Sequence, residues 1–115
     1  MVLEFARELE KSNNRIKYKI VRAGGPEYYN LRIYLDGPDP ELNKVKKVDY
    51  LLHPTFRQRL HSSNDRNDKF AIRIWTWGMF TIHATIHYKD GKKEDREFFL
   101  GYDLPKDDGT NYIKV

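Results

Sequence analysis

Cysteine is absent from this chain of 115 residues. Disulfides, thiol nucleophiles, CxxC redox chemistry and thiolate metal sites are excluded with it. Long apolar runs are also lacking. The N-terminus M-V-L-E-F-A-R-E-L-E-K places acidic residues where a signal peptide needs an unbroken hydrophobic segment, and no stretch is apolar for the length of a bilayer. A cytoplasmic protein with no membrane partner is expected. Neither G-x-x-x-x-G-K-S/T nor G-x-G-x-x-G occurs, so no phosphate-cradling nucleotide chemistry and no cofactor are indicated.

Charge of one sign is lacking too. The 21 basic and 17 acidic residues leave a net +4. The basic run K-V-K-K (44–47) and the mixed D-G-K-K-E-D (90–95) are short, as solvated strand ends are. Nucleic acid is a disfavoured partner, because that reading needs cations gathered on one face.

What the chain has is aromatic side chains, 14% of residues, and alternation. Ile16, Tyr18 and Ile20 alternate with Arg15, Lys17 and Lys19. Tyr29, Leu31, Ile33 and Leu35 line one face of a second run. Val48, Tyr50 and Leu52 mark a third, stopped by Pro54, and Phe70, Ile72 and Ile74 a fourth. Phe80, Ile82, Ala84, Ile86 and Tyr88 then alternate with Thr81, His83, Thr85 and His87. A period of two with one polar face defines half-buried strands.

Asp90-Gly91 is a hairpin signal of the type I′ kind, leading into a strand over 94–100, and 112–115 adds a short last one. The polar stretch 57–68 reads as an exposed connection. Val2, Phe5, Ala6 and Leu9 fall at helical spacing, so residues 1–14 are expected to form a short, helical N-terminal extension to a domain spanning 15–115. The fold class is all-β, an immunoglobulin-like antiparallel sandwich of about seven or eight strands.

Catalytic patterns are thin, and a non-enzymatic protein is expected. His83 and His87 have H-x-x-x-H spacing, but on a strand they lie roughly 13 Å apart, too far to share one metal ion. Ser12, Ser62 and Ser63 sit in turn-like polar stretches with no strand-to-helix elbow. Aromatic and small polar residues concentrate instead where strands become loops: L-L-H-P-T-F at 51–56 and W-T-W-G-M-F at 75–80. Sandwich loops gather at two ends. If these two share an end, Phe56 and Trp77 face each other near Thr55 and form a slot for a flat amide or a cation. Trp75, in register with Arg73, reads as a sheet-packing residue.

The stretch from Val45 to Leu104 resembles the YEATS domain, and the likeness extends back to about Arg15. Y-L-L-H-P-T-F is similar to that family's L-H-x-S-F, T-W-G-M-F to its turn with Trp or Tyr after Gly, and G-Y-D-L to its closing segment, in the same order. The resemblance implies an immunoglobulin-like sandwich that reads acylated lysine. By position it makes Phe56 and Trp77 the walls of an aromatic cage. Thr55 supplies a hydroxyl to the acyl amide, the backbone N–H of Trp77 binds the acyl oxygen, and His53 holds the Thr55 loop. Phe80 supports that loop from below. Asp103 pairs with a basic residue flanking the modified lysine.

Thr76 stands where many family members have glycine, and beside Gly78 it narrows the end of the slot. Tyr28 or Tyr29 is the nearest counterpart of the first-loop aromatic. The implied partner is an acylated-lysine protein or peptide of a prokaryotic YEATS-type protein. The alternative is a protein–protein interaction or signalling scaffold that keeps the fold, with the slot filled by Thr76 or Met79.

Overall fold

Glu27–Asp36 is the longest strand, and it is the spine of one sheet. Tyr29, Leu31, Ile33 and Leu35 are buried, while Tyr28, Arg32 and Tyr34 occupy the opposite, outer face. The computed structural model describes residues 3–115. Its strands are β1 (Glu4–Leu9), β2 (Lys11–Ser12), β3 (Arg15–Ile20), β4 (Glu27–Asp36), β5 (Val45–Leu51), β6 (Leu60–Ser63), β7 (Ile72–Thr76), β8 (Phe80–Tyr88), β9 (Lys93–Leu100) and β10 (Tyr112–Lys114).

One sheet runs β1-β4-β3-β10, with β2 added on β3 and β7 on β4; the other runs β6-β5-β8-β9. All pairs are antiparallel except β10 with β3. Between the sheets lie Leu31, Ile33, Leu35, Val48, Tyr50, Leu52, Phe70, Ile82 and Ile86, all essentially inaccessible. Each aliphatic among them contributes roughly 1.5–3 kcal/mol by leaving water. The Tyr50 hydroxyl enters this core because it donates to the Phe70 carbonyl at 2.6 Å. The immunoglobulin-like sandwich expected from alternation is the fold.

The N-terminal segment departs from expectation. It is a strand rather than a helix: β1 pairs with β4 from Glu4 opposite Asp36 to Leu9 opposite Leu31. Phe5 stacks on Phe98 with ring centroids 4.6 Å apart and meets Tyr50 edge-on. Tertiary partners for Phe5 and Leu9 outweigh the weak helical pattern of so short a segment. Val2, counted in the expected helix, lies outside the described residues.

Asn13 and Asn14 do not end a helix. Both have positive φ (52° and 64°) and close the β2–β3 hairpin, which Ser12 opposite Arg15 makes a two-residue loop. The type I′ geometry foreseen at Asp90-Gly91 is therefore found at Asn13-Asn14. At 90–91 only Gly91 is left-handed (φ 91°), in a longer loop closed by the Tyr88 N–H on the Lys92 carbonyl.

The polar stretch 57–68 is not all loop either. It contains β6, paired with β5, and a 3-10 turn at Arg66–Asp68 capped by the Asp65 carboxylate. A single helical turn, Asp39–Leu42, follows Pro38. The strands exceed the expected seven or eight because β1, β2 and β6 carry no clean alternation.

Candidate functional site

Pro54 ends the β5 ladder because it has no N–H to give. The chain then turns at once: the Phe56 N–H donates to the His53 carbonyl at 3.0 Å, a β-turn with proline at its second position. The neck of this loop is tied by the Leu52 N–H on the Arg59 carbonyl (2.8 Å) and the Arg59 Nε on the Leu52 carbonyl (3.1 Å). Inside it, His53 Nδ1 accepts the Thr55 N–H at 3.2 Å and lies 2.9 Å from the Thr55 hydroxyl. Phe80, the first residue of β8, carries the loop from below. Its ring is 5.1 Å from Phe56 and 6.1 Å from His53.

The facing turn joins β7 to β8. Thr76 is buried, and its hydroxyl donates to the Gly78 carbonyl (2.8 Å) while accepting the Gly78 N–H (3.3 Å). This side-chain clamp shapes the turn. Gly78 is not left-handed, and a Cβ there would meet nothing within 4 Å, so the turn does not depend on glycine's conformational freedom. Trp77 projects from the clamp, 58% exposed. Its backbone N–H is in no turn or loop hydrogen bond among the described residues.

These two turns enclose one cleft of about 530 Å³. His53, Thr55, Phe56, Thr76, Trp77 and Gly78, proposed from sequence to share a site, all line it. Asp103 does not; it is exposed in the coil after β9. Of the two tyrosines considered, Tyr28 reaches the cleft, whereas Tyr29 is buried with its hydroxyl on Glu27, its pKa raised first by burial and then by that carboxylate.

Two lining residues, Arg57 and Trp75, were not foreseen, and Met79 was named only as a residue that would fill the slot. Arg57 follows Phe56 out of the β-turn, Met79 follows Gly78, and Trp75 serves two purposes. Trp75 is half-buried on the outer face under Lys19, whose Nζ is 4.5 Å from its ring, and one side of it also walls the cleft. The signal for Arg57 was its place beside the motif; for Trp75 it was the register shared with Arg73.

The histidine pair separates as strand geometry requires. His83 meets Glu97 and His87 meets Asp49 at 2.7 Å, and among the described residues no group of three metal-ligating side chains forms. Asp49 also accepts from Ser62 at 2.6 Å. Burial pushes its carboxyl up, but the hydrogen bonds to Ser62 and His87 and the nearby Lys47 together outweigh it and hold the group below the usual range.

The sandwich gathers aromatic walls, the hydroxyl-bearing Tyr28, Thr55 and Thr76 and an unengaged turn amide at one cleft at its loop end, and its class is the immunoglobulin-like fold. The sequence profile of the prokaryotic YEATS domain matches residues 29–101, more than half of the chain, and the chain belongs to that family. Among solved structures it is similar to the Yaf9 YEATS domain recognising an H3K122suc peptide, with TM-score 0.58 and 20% identity, covering 84% of this chain and 67% of that one. It is also similar to the Yaf9 YEATS domain bound to H3K27ac, with TM-score 0.63 and 19% identity, covering 90% of this chain and 72% of that one. At such identities the likeness is one of fold. Among curated proteins none matches the chain. The family match begins at Tyr29, so β1 to β3 lie outside it while still completing the sheet.

Proposed function

We propose that this protein is a non-enzymatic reader that holds the acylated side chain of a lysine in the cleft between Phe56 and Trp77. The observation that carries the reading is the convergence of Thr55, Phe56 and Trp77 on one cleft at the loop end. Acylation removes the lysine charge and leaves a flat amide with one donor and one acceptor. The two rings stack on its faces, the Thr55 oxygen accepts its N–H, and the Trp77 backbone N–H donates to its carbonyl. Unmodified lysine has to shed water from a full charge to enter the same slot, and that cost gives selectivity.

The scaffold alternative predicted a slot filled by Thr76 or Met79. Thr76 is instead turned into its own backbone, and Met79 is 52% exposed, which supports an open slot. Calorimetric titration with acetyl-, crotonyl- and unmodified-lysine peptides tests the reading. Binding of the acylated peptides alone, lost in Phe56→Ala, supports it; equal heats for all three peptides at millimolar concentration would falsify it.

A further inference from the structure

Cations around the cleft lack the carboxylate partners that Arg32 and Arg73 have on the same sheet. On the outer face away from the cleft, Arg32 is paired with Glu8 and Asp68, and Arg73 with Asp68 and Glu10, so that network nearly cancels. At the cleft the pattern reverses. Lys17 and Lys19 reach over Trp75, at 6.0 and 4.5 Å from its ring, and Lys19 stands directly opposite Tyr28 in the β3–β4 register. Trp75 and Tyr28 both line the cleft. Arg57 is on the lining itself and is its one side chain of fixed charge. None of these three cations is in an ion pair among the described residues, and no carboxylate lines the cleft. Asp103, the acidic residue that resemblance placed beside the ligand peptide, is not part of the lining.

We infer that the cleft takes its acyl-lysine from an acidic stretch of polypeptide, with Asp or Glu flanking the modified residue. This rests on the acyl-lysine reading above. Anionic side chains on either side of the acyl-lysine would meet Lys17 and Lys19 on one bank and Arg57 on the other. A basic flank would meet like charge on both banks. Charges at such a rim change association rate and salt dependence more than they change packing, and the low-dielectric ring faces of Trp75 and Tyr28 beside them leave the lysines less screened than free surface cations.

The test uses the full chain and three peptides of equal length carrying one acetyl-lysine, flanked by acidic, neutral or basic residues, plus the acidic peptide without the acetyl group. The expected order is acidic over neutral over basic. About fivefold or more should separate the extremes at low salt, and the gap should shrink as salt is raised. Lys19→Glu and Arg57→Glu, checked for unchanged melting temperature, should narrow or invert that order.

Equal affinity for the three acetylated peptides, or preference for the basic one, overturns this inference and leaves the acyl-lysine reading standing. Binding of the non-acetylated acidic peptide as tightly as its acetylated form makes the patch a general polyanion surface and overturns the inference as well. Failure of all four peptides overturns the acyl-lysine reading, and the inference falls with it.

Discussion

His53 Nδ1 accepts the backbone N–H of Thr55 at 3.2 Å while lying 2.9 Å from the hydroxyl of the same residue. A ring nitrogen that accepts an N–H carries no proton, so the tautomer is fixed with hydrogen on Nε2. The Thr55 hydroxyl oxygen then has no ring proton to accept, and its lone pairs remain for an incoming donor. An acyl amide offers that donor. Thr55→Val, which keeps the shape and removes the acceptor, should weaken binding of acetyl-lysine peptide about tenfold, near 1–1.5 kcal/mol. Thr55→Ser should keep most of it. If His53 acts through Thr55, the double variant His53→Ala/Thr55→Val should lose no more than Thr55→Val alone; additive losses would mean that His53 touches the ligand itself.

The Thr76 clamp and the neighbouring glycine make opposite predictions. Thr76→Val removes both hydrogen bonds to Gly78 and should cost about 1–2 kcal/mol of stability by urea denaturation, along with acyl-peptide affinity, since the Trp77 turn loosens. Gly78→Ala should change stability by no more than about 0.5 kcal/mol, because its φ is ordinary and its Cβ space is open. A large loss in Gly78→Ala would mean that the turn needs glycine after all.

Phe5 ties the N-terminal strand into the sandwich through Phe98 and Tyr50. Arg96 fastens the same segment by donating to the Leu3 carbonyl at 2.7 Å. Phe5→Ala should destabilise the protein by about 2–4 kcal/mol. An effect under about 0.5 kcal/mol would show that β1 is only loosely applied to the sheet.

Strands and loops with a clean pattern were legible in the sequence, and those without one were not. β4 and β8 alternate without a break, and β5 does so from Val48 onward, past an irregularity between Val45 and Lys47. β1 would have read as a strand through Leu3, Phe5 and Leu9 but for Arg7, which occupies the inward register between them. Its guanidinium lies 5.9 Å from the Phe98 ring centroid and donates to the Gly101 carbonyl at 3.2 Å. A cation whose hydrogen bond and ring contact both come from residues more than 90 positions away leaves no local trace. β6 is similar, a polar edge strand held by its pairing with β5. At the site, the motifs located both turns and six of the lining residues. Lys17 and Lys19 stayed hidden because their nearness to Trp75 depends on how β3 and β7 both register against β4.

Asp68 joins Arg73 and Arg32 across the sheet face, and hydrogen bonds from Arg73 first, then Arg32, hold its carboxyl below the usual range against the effect of burial. A depressed folded-state pKa contributes stability above the unfolded value of about 3.9 and loses it as pH falls through the folded value. Asp68→Asn should therefore be less stable than the parent at pH 7. The difference should close as pH drops below about 4, as thermal melts across pH will read. A pH-independent difference would assign the effect to packing.

Trp77 as a wall of the acyl-lysine slot is tested most directly by its own fluorescence. The chain has two tryptophans, and both line the cleft, so Trp75→Phe leaves Trp77 as the single indole reporter. Titration of that variant with acetyl-lysine peptide should shift or quench the emission saturably, and the unmodified peptide should leave it unchanged. No acyl-dependent change at millimolar peptide, in a variant that melts like the parent, would contradict the assignment of this cleft to acyl-lysine.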